Sequence, residues 1–314
     1  MIDEVKKTVT ILTPCFNEVE NVEELTEAVV KIGRKIPDVR VNHLFIDNAS
    51  TDGTVEKLRT LCSKHSHVQA ILNNRNYGHI RSPIHGLFQT QGDAVVVMAS
   101  DFQDPPELII EFVNKWKQGY KTVIGIKEGS DESITFSIIR RFYYSLINRL
   151  SETPLIKNFT GFGLYDREVI EILHSLDDPY PYFRGLISEL GFEIARVNYK
   201  QPKRKRGFTK NNFYTLYDMA LLGITNHSKI PLRLATFSGF VISFLSFFVG
   251  LGYFLYKLLF WDRFDLGIAP LVIGIFFFAA VQLFFIGIIG EYVGSIHTQV
   301  LKRPLVIEKE RINF

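Results

Sequence analysis

Val95-Val96-Val97-Met98-Ala99-Ser100-Asp101-Phe102-Gln103-Asp104-Pro105-Pro106-Glu107 passes from an apolar run to acids and amides, and then to two prolines. A short β-branched run with polar flanks predicts a strand buried on both faces of a parallel sheet. Pro105 and Pro106 then open a helix, where a missing N–H costs nothing. Ligands of open α/β sheets sit beyond the carboxyl ends of the strands, and Asp101, Gln103 and Asp104 fall there. Their carboxylate and amide oxygens are hard donors, suited to Mg²⁺ or Mn²⁺ held jointly with a substrate's phosphates. The same acids would also suit a loop that merely caps a helix, so the rest of the chain has to decide.

On the amino-terminal side, residues 8–13, 41–46 and 68–72 have the composition of strands, and residues 19–32, 54–65 and 84–91 that of helices. Residues 73–78 form a polar turn between them. On the other side, residues 108–117 read as helix and 121–126 as strand. This alternation predicts an α/β fold with a doubly wound, mostly parallel sheet. Polar residues recur after its strands, at Asn17/Glu18, Asp47/Asn48, Asn76 and Asp101/Gln103. One polar loop means little, but a row of them along one sheet edge outlines a nucleotide-sized site.

Residues 234–260 and 268–289 are nearly or wholly apolar, and each exceeds the ~20 residues needed to cross a bilayer. Two buried core helices are the alternative, poorly served by runs so long. Lys229 and Arg233 precede the first span, and Lys302 and Arg303 follow the second. That bias puts both termini and the catalytic domain on the cytoplasmic side of the inner (plasma) membrane. Phe142, Tyr143, Leu146, Ile147 and Leu150 keep helical spacing, as do Phe213, Leu216, Tyr217, Ala220 and Ile224. Helices over 137–150 and 211–226 would pack on the sheet or lie in the headgroup layer. The expected organisation is a cytoplasmic domain at 1–228, a transmembrane hairpin at 229–297 and a tail at 298–314. In the tail, residues 304–308 read as a strand that must pair with a sheet edge, of this chain or of a neighbouring subunit.

The net charge of +3 hides an uneven distribution. Arg196, Lys200, Lys203, Arg204, Lys205, Arg206 and Lys210 form an acid-free stretch just before the spans. Beside membrane helices a nucleic-acid role is disfavoured. Attraction to anionic lipid follows from position, and binding of a lipid's phosphate and a nucleotide's diphosphate is the more specific reading. Cys15 and Cys62 offer no disulfide framework and fit a reducing compartment. The charged amino terminus reads as leading straight into the first strand rather than as a signal peptide. His79 and His85 read as ordinary core or surface histidines, and Gly161-x-Gly163 lacks the context of a dinucleotide fingerprint.

The ordered set of motifs resembles the family 2 glycosyltransferases of GT-A fold, and within them the polyprenyl-phosphate glycosyltransferases (the GtrB, ArnC and dolichol-phosphate mannose synthase-like enzymes). The resemblance rests on the Pro14–Glu18 loop, residues 47–54, Asn76-Tyr77-Gly78, Asp101–Pro106, Tyr182-Phe183-Arg184-Gly185, Arg206–Lys210 and the two-span end. It implies that Pro14, Asn17, Glu18 and Asp47 hold the nucleotide, joined by Asn76, and that Asp101 and Gln103 hold a divalent ion and the diphosphate. Arg184, Lys203, Arg206 and Lys210 are the implied phosphate-binding cations, and a homotetramer is the implied assembly. The chain departs from the family at three points. One acid of the Asp-x-Asp pattern is Ala99, the usual Asp-Asp after the second strand is Asp47-Asn48, and Gly-Asp-Phe-Arg-Leu reads Thr160-Gly161-Phe162-Gly163-Leu164.

The resemblance implies transfer of one hexose, glucose as the first guess, from a UDP-sugar to undecaprenyl phosphate, with inversion. A phosphate monoester has a second pKa near ~6 and attacks without needing a strong general base. The rivals are a processive polysaccharide synthase and a non-catalytic membrane partner. Such synthases carry a Gln-x-x-Arg-Trp motif, whereas neither Trp116 nor Trp261 follows an arginine. Ala99 would mark the inactivated site of a non-catalytic partner, against which Asp101, Gln103 and the basic loop argue.

Overall fold

The computed structural model describes residues 6–128, 156–202, 228–260 and 268–314. The segments expected as interfacial helices (137–150 and 211–226), and Lys203, Arg206 and Lys210 with them, lie outside the described residues. In chain order the elements are β1 (Lys7–Cys15), α1 (Val22–Lys35), β2 (Val39–Asp47), α2 (Thr54–Lys64), β3 (Val68–Asn73), α3 (Gly78–Gln89), β4 (Ala94–Val97), α4 (Leu108–Lys117) and β5 (Thr122–Lys127). There follow β6 (Phe159–Asp166), α5 (Arg167–Ser175), α6 (Phe183–Glu189), β7 (Ile194–Tyr199), α7 (Ile230–Leu259), α8 (Ile268–Val300) and β8 (Glu308–Ile312).

The strands form an eight-stranded sheet in the order β7-β5-β6-β4-β1-β2-β3-β8. β1 pairs in parallel with both β2 and β4, and β2 with β3, so these four strands end at one edge. β1 therefore lies at the switch point of the strand order, where an α/β sheet opens a crevice. Alternate residues serve opposite faces. Ile11, Phe45 and Val96 join the core that holds α1, α2 and α4. Leu12, Leu44, Ile46 and Val95 join the core that holds α3, α5 and α6. Burial on both faces explains why the inner strands read as continuous apolar runs.

Three features differ from the sequence expectation. β6, α5, α6 and β7 were not anticipated, and β6 runs antiparallel to both β4 and β5, which makes the sheet mixed. α3 begins at Gly78 rather than 84 and carries Pro83 inside it. Proline withholds a helical N–H, which makes such a segment read as a break, yet Ile84 and Leu87 are buried in the core and hold the helix against the sheet. The tail strand is Glu308–Ile312, not 304–308, and it pairs antiparallel with β3 of its own chain. Its alternating charges obscure it in the sequence, but they suit an edge strand. Arg59 of α2 grips Glu310 through two hydrogen bonds of 2.6 and 2.5 Å, and His85 of α3 meets Glu308 at 2.5 Å.

α7 and α8 match the two apolar runs. They contain windows of mean hydropathy 2.0 and 2.7 and are long and apolar enough to cross a membrane. Their side chains are largely uncovered by the rest of the protein, as a lipid-facing pair requires. At their polar end the Tyr292 hydroxyl donates to the Ser228 carbonyl at 2.5 Å.

Candidate active site

A cavity of about 430 Å³ opens at the switch point. The ends of β1 and β4 supply Pro14, Ala99, Ser100 and Asp101, α3 supplies His79 and Ile80, and the 181–184 segment supplies Tyr182, Phe183 and Arg184. Of the residues singled out in the sequence, Pro14, Glu18, Asp101 and Arg184 meet on this cavity.

Asn17, Asp47 and Asn76 do different work: they knit the neighbouring loops together. Asp47 is fully buried, and its carboxylate accepts from the Ser50 amide at 2.9 Å and the Ser50 hydroxyl at 2.5 Å. Burial raises its pKa, against the lowering pull of those Ser50 bonds. The Asn17 amide donates to Ser50 Oγ at 2.8 Å, and the Thr51 amide donates to Asn17 Oδ1 at 2.8 Å. Asn48 completes the net. Its Nδ2 donates to Asn76 Oδ1 (2.8 Å) and to the Gly78 carbonyl (3.1 Å), while its Oδ1 accepts from the Tyr77 amide (2.8 Å) and from Asn73 Nδ2 (3.2 Å). A carboxylate could not make the first two bonds, which accounts for an asparagine at 48. Asn17 and Ala49 also hold left-handed backbone, at φ 57° and 63°, a cost that such bonding offsets.

Asp101 is buried except where it meets the cavity, and its Oδ1 accepts from the Gln103 amide at 3.1 Å. Phe102 between them sits at φ 59°, turning the loop tightly back on itself. Asp104 braces this turn. It accepts from the Ala99 amide at 3.0 Å and from the Tyr199 hydroxyl on β7 at 3.1 Å. Burial, aided by the Asp101 charge and opposed by the Ala99 hydrogen bond, lifts its pKa to about 6. Asp101 offers a hard oxygen donor on the cavity, whereas Gln103, which carries another at the same strand end, is not among the lining residues. Among the described residues no three His, Cys, Asp or Glu side chains converge. The donor set therefore fits an ion such as Mg²⁺ that takes its remaining ligands from phosphate and water.

The sequence reading passed over His79, which lines the same cavity as Asp101. Its one signal was position: it directly follows Gly78 in the polar loop after a predicted strand. The absent acid and arginine at 161 and 163 also have a local cause. Gly161 sits at φ +105°, which side-chain-bearing residues rarely adopt, and a Cβ at Gly163 would collide with the Val123 carbonyl oxygen.

The crevice at the switch point, with an acid at the end of β4, is where an open α/β sheet binds its ligand. Residues 10–173 match glycosyl transferase family 2. The chain is 31% identical over 304 residues to the uncharacterized glycosyltransferase YkcC of Bacillus subtilis (strain 168), covering 95% of this chain and 92% of that protein. It is 31% identical over 305 residues to the bactoprenol glucosyl transferase of Shigella phage SfII, covering 96% and 97%. A glucosyl-3-phosphoglycerate synthase from Mycobacterium tuberculosis, solved with Mn²⁺, UDP and phosphoglyceric acid, resembles it at a TM-score of 0.47 and 19% identity, over 70% of this chain and 76% of that one. The chain belongs to glycosyl transferase family 2 and is a glycosyltransferase.

Proposed function

We propose that the enzyme transfers one hexose, with glucose the first candidate, from a UDP-sugar to undecaprenyl phosphate at the cytoplasmic face of the membrane. One observation carries the reading: a cavity lined by both Asp101 and Arg184, in a chain that carries two helices long enough to span a bilayer. Identity to bactoprenol glucosyl transferases supports a polyprenyl acceptor. Lys229 just before α7 and Arg233 in its first turn, with Lys302 and Arg303 after α8, support a cytoplasmic catalytic domain and tail.

The chemistry asks little of a general base. The acceptor phosphate, largely dianionic at neutral pH, attacks the anomeric carbon. The new carbon–oxygen bond forms as the bond to the nucleotide's β-phosphate breaks, and the nucleoside diphosphate leaves with the electron pair on the opposite face, giving inversion. No proton has to move. Asp101 and Gln103 would hold a Mg²⁺ or Mn²⁺ ion, whose chemistry is to neutralise charge on the departing diphosphate. The knitted loops after β1, β2 and β3 fix the pocket's nucleotide side, Pro14 and Glu18 line it, and Arg184 faces the acceptor. Lys203, Arg206 and Lys210 are assigned to the phosphates by their motif.

The test is a donor panel of UDP- and GDP-sugars incubated with the full-length enzyme and undecaprenyl phosphate. The expected outcome is a single sugar on the lipid from one UDP-linked donor. A growing polymer would instead indicate a processive synthase, and silence with every donor a non-catalytic membrane partner.

A further inference from the structure

We propose that His79 holds the phosphate of the lipid acceptor, with Arg184 as its charged partner; the assignment rests on the transfer reaction above. The cavity is electrically divided. Glu18, Asp101 and Asp104 stand toward the β1 and β4 ends, while His79 and Arg184 stand on the α3 and α6 side. A metal-bound diphosphate suits the first group. A bare phosphate dianion needs N–H donors and positive charge with no carboxylate beside it, and only the second group offers that.

Two contacts set this second group in place. Arg81, on the first turns of α3, donates from Nε to the Pro179 carbonyl at 3.4 Å, which holds the segment leading to Tyr182 and Arg184 against α3. The Arg184 guanidinium lies 5.5 Å from the centre of the Tyr182 ring, which limits where its charge can point. His79 is exposed and lines the cavity. Crowding by protein atoms, and then the Arg184 charge, lower its pKa. The family's acid at position 161 is here a glycine.

The test measures binding rather than turnover. Full-length wild type, His79→Ala and His79→Asn in detergent are titrated separately with citronellyl phosphate and with UDP plus Mg²⁺. The expected result is an affinity for citronellyl phosphate about tenfold lower in the alanine variant, largely recovered in the asparagine variant, with UDP affinity unchanged. Loss of UDP affinity in His79→Ala, or unaltered citronellyl phosphate binding, would overturn the assignment. Binding that depends on His79 in a wild-type protein that transfers no sugar would keep the assignment and remove the transferase reading instead.

Discussion

The loops beside the cavity and the lining of the cavity itself are built on opposite principles. On the side of β1, β2 and β3, polar side chains are spent on one another: Asp47 on Ser50, Asn17 on Thr51, Asn48 on Asn73, Asn76 and Tyr77. What this side offers a ligand is a rigid backbone shape. On the side of β4, α3 and α6, the side chains themselves face the open space, with Asp101, His79 and Arg184 foremost. Substitutions should therefore act differently on the two sides. On the first they change stability and, through it, binding; on the second they change chemistry with the fold intact.

The largest effect is expected on the open side. Asp101→Asn keeps the size of the side chain and removes its charge, so sugar transfer should fall by about 100- to 1,000-fold while the melting temperature holds. A variant that melted early would place Asp101 among the structural residues and blur the contrast.

The second effect lies beneath the knitted side. His43 on β2 is completely buried, and its Nε2 meets Thr13 Oγ1 of β1 at 3.0 Å. Burial lowers its pKa from 6.5 to about 3. A group whose folded pKa is depressed contributes full stability above its unfolded value and loses it as the pH falls toward the folded value. Stability should thus decline between pH 6.5 and about 3, by an amount on the order of 5 kcal/mol at the acid end. Asp104, raised from 3.8 to about 6, acts in the reverse sense: its contribution is complete below 3.8 and is lost as the pH rises through about 6. Denaturant midpoints measured across that range should show a shallower acid slope in His43→Leu than in wild type.

The smallest effect tests the net itself. Asn48→Asp replaces two donated hydrogen bonds with a carboxylate facing the Asn76 and Gly78 oxygens. The expected cost is about 1–3 kcal/mol in equilibrium unfolding, with weaker UDP binding. An unchanged unfolding midpoint would mean that the loops do not depend on this bonding.

The parallel half of the sheet was legible because its strands are buried on both faces and its helices keep a clean apolar stripe, as Leu25, Val29 and Ile32 do in α1. The two spans were legible from length alone. β6 was not: its sequence carries Gly161 and Gly163, which read as loop, and its pairing with β4 and β5 is antiparallel and non-local. β8 was expected a few residues too early because charge, rather than apolar alternation, marks a strand that covers an edge. At the site, Asp101 could be found from residue type and position, and Arg184 only through the family resemblance. Asp47, Asn17 and Asn76 could be located but not sorted, because the same polar residues serve as ligand groups or as loop braces. Only the hydrogen-bond partners tell these roles apart. His79 was set aside because one histidine carries no message until Arg184, distant in sequence, joins it on the same cavity.

The account stands on a sugar nucleotide and a lipid phosphate meeting in that single cavity. The most direct measurement is to count, in one reaction of full-length enzyme with Mn²⁺, the UDP released and the sugar recovered on undecaprenyl phosphate. The prediction is one UDP for each lipid-linked sugar, with both absent when the lipid is left out. UDP release that ignores the lipid, or lipid that stays unmodified while the donor is consumed, would contradict it.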